Sequence, residues 1–394
     1  MKNKNTDKPP RTLVFSFDGT GNEPGDAHEF KEDESISNIL KLHILMGGSI
    51  QEDQSDTKTP AGADQKTYYY NGIGTREAGR QIPLLGQLYS SARKIVNMCL
   101  APTFGDARRI LDEVAKDFDD AKCNPDDRIV IFGFSRGAAL ARKFASLILA
   151  KRQDCRVSFL GVFDTVAAMN GIHRKGEKIS SDVVFENGTL NGGIERAVHI
   201  VSLDEDRVPF APTLINKDAG DPNRILEVWF PGVHSDVGGG YWLDGLSDIA
   251  LAFMIRECVK ALGDDIWIGK GDANGIKDLF AQQKDGLEGL EGLEVDDVAI
   301  HPLNGMIHLH SGLLTGSQEP RLVCVNDNDR PCADLPILHH SVKERFQKVI
   351  NYRPAALRGL EFRLLLDDGR ISGEICGISG LREFGFPFIN ERYG

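Results

Sequence analysis

The residues with the clearest chemical potential surround Ser135. This serine lies in Gly133-Phe-Ser-Arg-Gly137, between an apolar run that begins at Arg128 and a helical pattern rich in small residues. A strand, a sharp turn and a helix in this order predict a nucleophile elbow, in which the serine hydroxyl is held clear of the backbone. A Cβ at either glycine would collide with the neighbouring strand and helix. The alternative is a glycine-rich turn whose serine only caps the helix.

A serine hydroxyl becomes a good nucleophile when a base takes its proton, and the base needs an anion that fixes its tautomer. His234 is the favoured base, because it follows an apolar strand and lies among glycines that let the backbone aim its side chain. His340 is the alternative base. His199 lies within a strand pattern and His339 precedes a helix, so we expect both to have core or surface roles.

Two aspartates compete for the role of the acid. Asp164 ends the strand that follows the elbow helix, and Asp204 ends the next strand. Asp164 is favoured, because Asp204 is followed by Glu205-Asp-Arg207, which has the composition of a solvated charge run. Asp at a strand end often only makes a turn, so a structural role is the alternative for both residues.

The oxyanion of an acyl-transfer intermediate needs backbone N–H donors close to the nucleophile. We expect one donor from Arg136, the residue after the serine, and a second from Gly19 in the loop that follows the first strand. Asp18 and Asp236 are expected to accept hydrogen bonds that shape their loops. These two aspartates, Asp164 and Asp204 have no spacing typical of a metal site, so no metal and no cofactor is predicted.

Composition excludes several classes of protein. The 394 residues include 41% hydrophobic and 26% charged residues, which is ordinary globular usage. A net charge of −12 without a dense basic tract argues against a nucleic-acid partner. No apolar run approaches the length of a membrane span, and the N-terminus has no apolar segment typical of a signal peptide. We therefore expect synthesis in the cytoplasm. Seven cysteines without a C-x-x-C pair predict reduced thiols.

Strand and helix patterns alternate along most of the chain. Strands are predicted over 12–17, 66–71, 128–134, 157–166, 197–204, 225–230 and 361–366, and helices over 35–46 with Ser35 as the cap, 104–122, the residues after Ser135, 246–262 and the residues after His339. This alternation predicts a mostly parallel central sheet with helices on both faces, whose ligand sites lie beyond the carboxyl ends of the strands. Asp18, Ser135, Asp164, Asp204 and His234 all lie at such ends.

The chain order of serine, acid and histidine is that of α/β-hydrolases. The sequence resembles an uncharacterised α/β-hydrolase-like domain family that includes the phospholipase effectors of the type VI secretion system. The residues that carry the resemblance are Phe17-Asp-Gly-Thr-Gly-Asn22, Gly133-Phe-Ser-Arg-Gly-Ala138, Gly161-Val-Phe-Asp-Thr-Val166, Trp229-Phe-Pro-Gly-Val-His-Ser-Asp-Val-Gly-Gly-Gly-Tyr241 and, more weakly, His340-Ser-Val342 with Arg345.

The resemblance implies a serine hydrolase that acts on phospholipids or other acyl esters through Ser135, an aspartate and a histidine. It also implies a secretion-apparatus or immunity protein as partner and delivery to the periplasm of a target cell. We expect a catalytic domain over 12–345 with a lid at 76–103, and a C-terminal segment, 346–394, packed on the same domain. Apolar stretches at 82–85 and 384–389 predict transient contact with a membrane surface, unless both pack into the core.

Other classes of function remain open from the residues alone. Ser16-Phe-Asp-Gly-Thr20 is similar to the loop of phosphatases that use an aspartyl nucleophile and magnesium, but Ser16 stands in the place of that nucleophile. A hydrolase of soluble carboxyl esters, and a catalytically silent interaction protein that keeps the fold, are further alternatives.

Overall fold

The computed structural model describes residues 10–20, 22, 34–48, 64–73, 103–167, 190–215, 223–282, 293–309, 318–325 and 334–385. The strands are β1 Thr12–Phe17, β2 Glu34–Ser37, β3 Gln65–Tyr70, β4 Arg128–Phe134, β5 Val157–Phe163, β6 Ala197–Ser202, β7 Ile225–Phe230, β8 Gly239–Tyr241, β9 Ile337–His339, β10 Glu361–Leu365 and β11 Ile375–Cys376. The helices are α1 Asn38–Leu45, α2 Thr103–Asp120, α3 Ser135–Lys151, α4 His234–Gly238, α5 Gly245–Leu262, α6 Ala273–Gln282, α7 Val295–Val298, α8 His340–Lys348 and α9 Gly377–Gly385.

Nine of the described strands form one sheet, in the order β11-β10-β9-β7-β6-β5-β4-β1-β3. All neighbours pair in parallel except β11, which runs antiparallel to β10. The central strands are buried along almost their whole length. This agrees with their near-continuous apolar sequences, which are typical of parallel strands covered on both faces.

Successive residues of each strand face opposite sides of the sheet. On one face, Leu13 and Phe15 belong to a core with α2 and α3, and on the other face Val14 belongs to a core with α1 and α5. The predicted sheet covered on both sides is therefore confirmed. The carboxyl ends of the parallel strands lie along one edge of this sandwich, where the turns after β1, β4, β5, β6 and β7 meet.

One predicted boundary near this edge was wrong, and one short helix was not predicted. The helix expected from residue 35 begins at Asn38, and Ser37 is its N-cap, with its side chain accepting a hydrogen bond from the Leu40 N–H at 3.2 Å. The residues before it form β2 instead, which pairs antiparallel with β8. Residues 234–238, which no predicted helix included, form the short helix α4.

The C-terminal part of the described chain extends the same sheet. β9 pairs in parallel with β7, and β10 pairs in parallel with β9. A third core includes Trp229 of β7, Val342 and Phe346 of α8, and Phe362 of β10. The expected boundary after residue 345 falls inside α8, so the residues before and after it fold together.

Several predicted features lie outside the described residues. These are the lid at 76–103, apart from the first residue of α2, and the apolar stretch at 82–85. Of the C-terminal stretch 384–389, only Phe384 has a described side chain, and it is 40% exposed. No helix in the described part of the chain is long and apolar enough to cross a membrane.

Candidate active site

Ser135 occupies a strained turn between β4 and α3. Its φ is +57°, a conformation that residues with a side chain seldom adopt. A side chain at either neighbouring glycine would clash with the backbone. A Cβ at Gly137 would lie 2.2 Å from the carbonyl oxygen of Asp18, and a Cβ at Gly133 would lie 2.6 Å from Cα of Ala138. Both contacts are with backbone, so the turn can close only with glycine at these positions, and the predicted collision is confirmed.

His234 is the first residue of α4, directly after the turn that leaves β7. Gly232, with φ of +109°, makes this turn possible. The imidazole is buried between the rings of Phe134 and Phe210, whose centroids lie 4.6 and 5.0 Å away. Its Nδ1 lies 2.6 Å from Oδ2 of Asp164. Its Nε2 is buried and has no hydrogen-bond partner among the described residues.

Asp164 is fully buried at the end of β5 and has a φ of +39°. Besides His234, its carboxylate accepts hydrogen bonds from Ser202 at the end of β6, from the backbone N–H at 3.0 Å and from the hydroxyl at 3.1 Å. Burial alone would raise the pKa of Asp164. Arg321 and His234 outweigh that effect and hold this pKa well below its usual range.

Arg321 completes the surroundings of Asp164. Its two terminal nitrogens donate to the two carboxylate oxygens, at 2.6 and 2.9 Å, and also to the carbonyl oxygens of Ser202 and Phe210. Sequence reasoning missed Arg321, because it lies 157 residues after Asp164 in a segment without strand or helix periodicity. Ser202 was missed too, although a polar residue at the carboxyl end of an apolar strand was a usable signal.

A second buried ion pair lies on the other side of His234. Glu205 and Arg207, expected to be solvated, are buried, and two guanidinium nitrogens of Arg207 lie 2.7 and 2.6 Å from the carboxylate oxygens of Glu205. Despite burial, Arg207 holds the pKa of Glu205 at about 2. The Glu205 carboxylate accepts a hydrogen bond from the His234 N–H at 3.1 Å. Burial lowers the pKa of His234, although Asp164 opposes this effect.

Asp204 and His340, the alternative acid and base, have other partners than His234 and Asp164. Oδ2 of Asp204 accepts hydrogen bonds from the Gly232 N–H at 2.7 Å and from the Tyr352 hydroxyl at 2.9 Å. Burial raises the pKa of Asp204 to about 6. His340 pairs with Glu344 one turn later in α8, with Nδ1 and Oε1 2.9 Å apart. Asp204 and His340 therefore make no hydrogen bond with His234 or Asp164.

The loop after β1 lies against the elbow. Asp18 is buried and accepts hydrogen bonds from the Gly19 N–H at 2.6 Å, from the Ser37 hydroxyl at 2.7 Å and from the Tyr69 hydroxyl at 2.5 Å. Its contacts are those of a carboxylate that holds a loop in shape. The N–H of Gly19 donates to this carboxylate. The N–H of Arg136 lies in the first turn of α3, at the positive end of the helix dipole.

Asp236 shapes the α4 turn. Its Oδ2 accepts a hydrogen bond from the Val233 N–H at 2.9 Å, and its Oδ1 lies 2.5 Å from Nδ1 of His308. The His308 ring stacks on Tyr241, with centroids 3.9 Å apart. His308 thereby ties the loop 299–309 to the helix that carries His234.

The described residues contain no cluster of His, Cys, Asp and Glu suited to a metal ion. Ser16, which replaces the nucleophile in the phosphatase-like loop, is fully buried within β1. The aspartyl-phosphatase interpretation therefore lacks its aspartyl nucleophile.

The parallel sheet, its helices on both faces and the serine on the sharp turn after β4 define an α/β-hydrolase fold. Residues 11–150 and 149–257 match the catalytic domain of Tle1-like phospholipase effectors of the type VI secretion system. These ranges cover more than half of the 394 residues, and the chain belongs to this family. The resemblance inferred from the motifs is thereby confirmed.

Solved structures are also similar to this chain, at low sequence identity. An uncharacterised protein from Pseudomonas aeruginosa is 20% identical over 66% of this chain and 46% of its own, with a TM-score of 0.39. A Tle1 effector, bound to the VgrG spike of a type VI secretion system, is 23% identical over 59% of this chain and 52% of its own, with a TM-score of 0.36. The chain thus spans about half the length of these two proteins. The comparison with curated proteins gave no match.

Proposed function

We propose that the protein is a serine hydrolase that cleaves acyl esters, with phospholipids as the main substrate. The observation that carries this proposal is the His234 ring, whose Nδ1 lies 2.6 Å from the Asp164 carboxylate. Its Nε2 is buried and has no hydrogen-bond partner in the part of the chain that the structure describes. An ionised carboxylate only accepts hydrogen bonds, so Nδ1 carries the proton and Nε2 has a free lone pair. A histidine in this tautomer is ready to act as a base.

In the proposed reaction, Nε2 of His234 takes the proton of the Ser135 hydroxyl as Oγ attacks the ester carbonyl carbon. The carbonyl oxygen becomes an oxyanion, which the N–H of Arg136 and the N-terminal end of α3 stabilise. The imidazolium then protonates the departing alcohol, and the acyl group remains on Oγ. A water molecule, deprotonated by the same nitrogen, attacks the acyl carbon of this acyl-enzyme. The bond to Oγ then breaks, the imidazolium returns the proton to Oγ, and the fatty acid leaves.

Family membership supports the choice of phospholipid, because the matched family consists of phospholipase effectors. It also supports a secretion-apparatus component as partner. Delivery into the periplasm of a target cell is a further part of the proposal. Exposed apolar side chains fit an aggregated substrate: Trp242 and Leu243, which follow β8, are 40% and 53% exposed. A net charge of −12 leaves burial of apolar area as the attraction to an anionic bilayer.

The test is Ser135→Ala, measured as hydrolysis of a phospholipid in mixed micelles and of a soluble p-nitrophenyl ester. We expect turnover to fall by at least about 10⁴-fold, since loss of a nucleophile costs several orders of magnitude. A fluorophosphonate probe should label wild type and not the variant. Ser146→Ala, in the same helix, is the matched control and should keep both activity and labelling.

Three results would count against the proposal. Full turnover by Ser135→Ala would remove the nucleophile from Ser135. Wild-type hydrolysis of the soluble ester without hydrolysis of the phospholipid would identify a different substrate class. A folded wild-type protein that neither hydrolyses esters nor reacts with the probe would identify a catalytically silent member of the family.

A further inference from the structure

Arg321 reaches Asp164 from a segment that is fastened beside the site. Gln318 forms a β-bridge with Arg207, and the Glu319 N–H donates to the Asp206 carbonyl oxygen at 2.7 Å. Arg321 itself donates to the carbonyl oxygen of Phe210, whose ring packs against His234. The segment 318–325 is therefore attached to the stretch 205–210, which contacts His234.

The guanidinium fixes the orientation of the acid. Its two parallel hydrogen bonds to Asp164, at 2.6 and 2.9 Å, hold the plane of the carboxylate, and Oδ2 remains directed at Nδ1 of His234. The guanidinium group of arginine is charged at physiological pH and presents its donors in a planar fork. A lysine would supply a positive charge on one nitrogen, but it could not form the two parallel hydrogen bonds that the planar guanidinium forms with Asp164.

Charge balance is the second consequence of Arg321. Among the described residues, the charged groups that face His234 are Asp164 after β5, Glu205 and Arg207 after β6, and Arg321 from the segment 318–325. Asp236 on α4 itself pairs with His308. The first four groups are two anions and two cations, and all are buried. Their charges cancel, so a proton on the buried imidazole would add a net charge that burial disfavours.

Without Arg321, the same pocket would hold one uncompensated negative charge. An unpaired carboxylate beside the ring would stabilise the imidazolium, and the pKa of His234 would rise. The histidine would then be protonated, and inactive as a base, over a wider range of acidic pH. The carboxylate would then keep Ser202 as its remaining donor besides His234, and it would rotate more easily away from Nδ1.

We propose that Arg321 is a positioning residue of the active site, which aims the Asp164 carboxylate at His234 and cancels its charge so that the histidine stays a neutral base in mildly acidic conditions. Arg321 acts through Asp164 and does not touch the substrate. The inference rests on the proposed function for its catalytic meaning. It also places a necessary part of the site outside residues 11–257, the range matched by the family.

The test compares Arg321→Met with Arg321→Lys in the full chain, through the pH dependence of kcat/KM for a soluble p-nitrophenyl ester. For Arg321→Met we expect kcat to fall about 100-fold, with KM little changed, and the acidic limb to move up by about one pH unit. For Arg321→Lys we expect a fall of about 10-fold and the acidic limb of wild type, because charge is kept and the fork is lost. Arg196→Met removes a partly buried arginine, paired with Glu257 at 2.7 Å, and should leave kcat and the acidic limb unchanged.

A second readout does not depend on turnover. The imidazole ¹⁵N signals of His234, assigned with a His234→Gln variant, give its pKa directly, and we expect a rise in Arg321→Met but not in Arg321→Lys. An unchanged His234 pKa and an unchanged acidic limb in Arg321→Met would overturn the inference. If that variant does not fold, a wild-type kcat in folded Arg321→Lys would overturn it equally. A wild-type protein without ester hydrolysis would overturn the proposed function, and the NMR titration would still decide whether Arg321 controls the histidine.

Discussion

Asp164 and Asp204 occupy equivalent positions and have opposite environments. Each follows a strand of the parallel sheet, β5 and β6, and the two strands are neighbours. Asp164 lies between an arginine and a histidine, and its pKa is held well below the usual range. Asp204 receives hydrogen bonds from an amide and a tyrosine, and burial raises its pKa to about 6.

In the proposed triad, this difference is the reason for choosing Asp164 over Asp204 as the acid. Position brings both carboxylates to the edge of the sheet, but a direct cationic partner makes ionisation favourable only for Asp164. A buried acid whose pKa is raised to about 6 keeps its proton in mildly acidic conditions, where it is a poor partner for a base histidine. Arg321, rather than the strand itself, therefore distinguishes the two aspartates.

The largest effect that could break this comparison is expected from Asp164→Asn. An amide cannot hold the Nδ1 proton of His234 as a carboxylate does, so we expect kcat to fall by about 10⁴-fold. Asp204→Asn should change kcat by less than about threefold, because its partners are Gly232 and Tyr352. Steady-state hydrolysis of the soluble ester measures both, and the reverse ranking would assign the acid to Asp204.

A smaller effect is expected when one neutral hydrogen bond is removed from each carboxylate. Ser202→Ala deletes the hydroxyl that lies 3.1 Å from Asp164, and Tyr352→Phe deletes the one that lies 2.9 Å from Asp204. We expect a decrease in kcat of about three- to tenfold for Ser202→Ala and none for Tyr352→Phe. Equal kcat values in the two variants would show that Asp164 needs no hydroxyl partner for its role.

The smallest effect concerns the stability of the folded state. The pKa of Asp204 is raised from about 3.9 in an unfolded chain to about 6 in the folded protein. Between these values the folded state binds more protons, so the contribution of Asp204 is present below about pH 4 and is lost as the pH rises through about 6. Urea unfolding at pH 4.5 and 7.5 should show that Asp204→Asn gains about 1–2 kcal/mol relative to wild type at the higher pH.

The contribution of Asp164 to the stability of the folded state changes with pH in the opposite direction, because the pKa of Asp164 is lowered in the folded protein. Its contribution is present above the unfolded pKa and is lost as the pH falls toward the folded one. An Asp204→Asn variant whose stability differs from wild type by the same amount at both pH values would remove the proposed contrast between the two carboxylates.

The sheet and the residues at its edge could be predicted from the sequence for a simple reason. The buried parallel strands are short apolar runs. Ser135 follows β4 directly, and His234 follows β7 after a turn of three residues. Because parallel strands end at one edge, order along the chain was enough to bring these residues together. Gly133 and Gly137, on either side of Ser135, likewise predicted the sharp turn from the local sequence.

The partners that decide the electrostatics could not be predicted in this way. Arg321 belongs to a segment without periodicity, and only its tertiary contacts reveal a role. Glu205 and Arg207 have the same types and spacing that a solvated pair would have, and burial alone distinguishes the two cases. The predicted start of α1 was wrong because both Ser35 and Ser37 are suitable N-cap residues. Residues before Ser37 pair with β8 as a strand, so Ser37 caps the helix.

The contact between Asp164 and Arg321 also sets an order of events during synthesis. Ser135, Asp164 and His234 leave the ribosome before residue 257, and in a chain of that length the buried carboxylate would have no cation. The strands β9 and β10, which extend the sheet past β7, emerge later still. A nascent chain can thus form most of the sheet while its hydrolytic centre is incomplete, and the cell that makes the protein would meet the finished centre only after nearly the whole described chain has been translated.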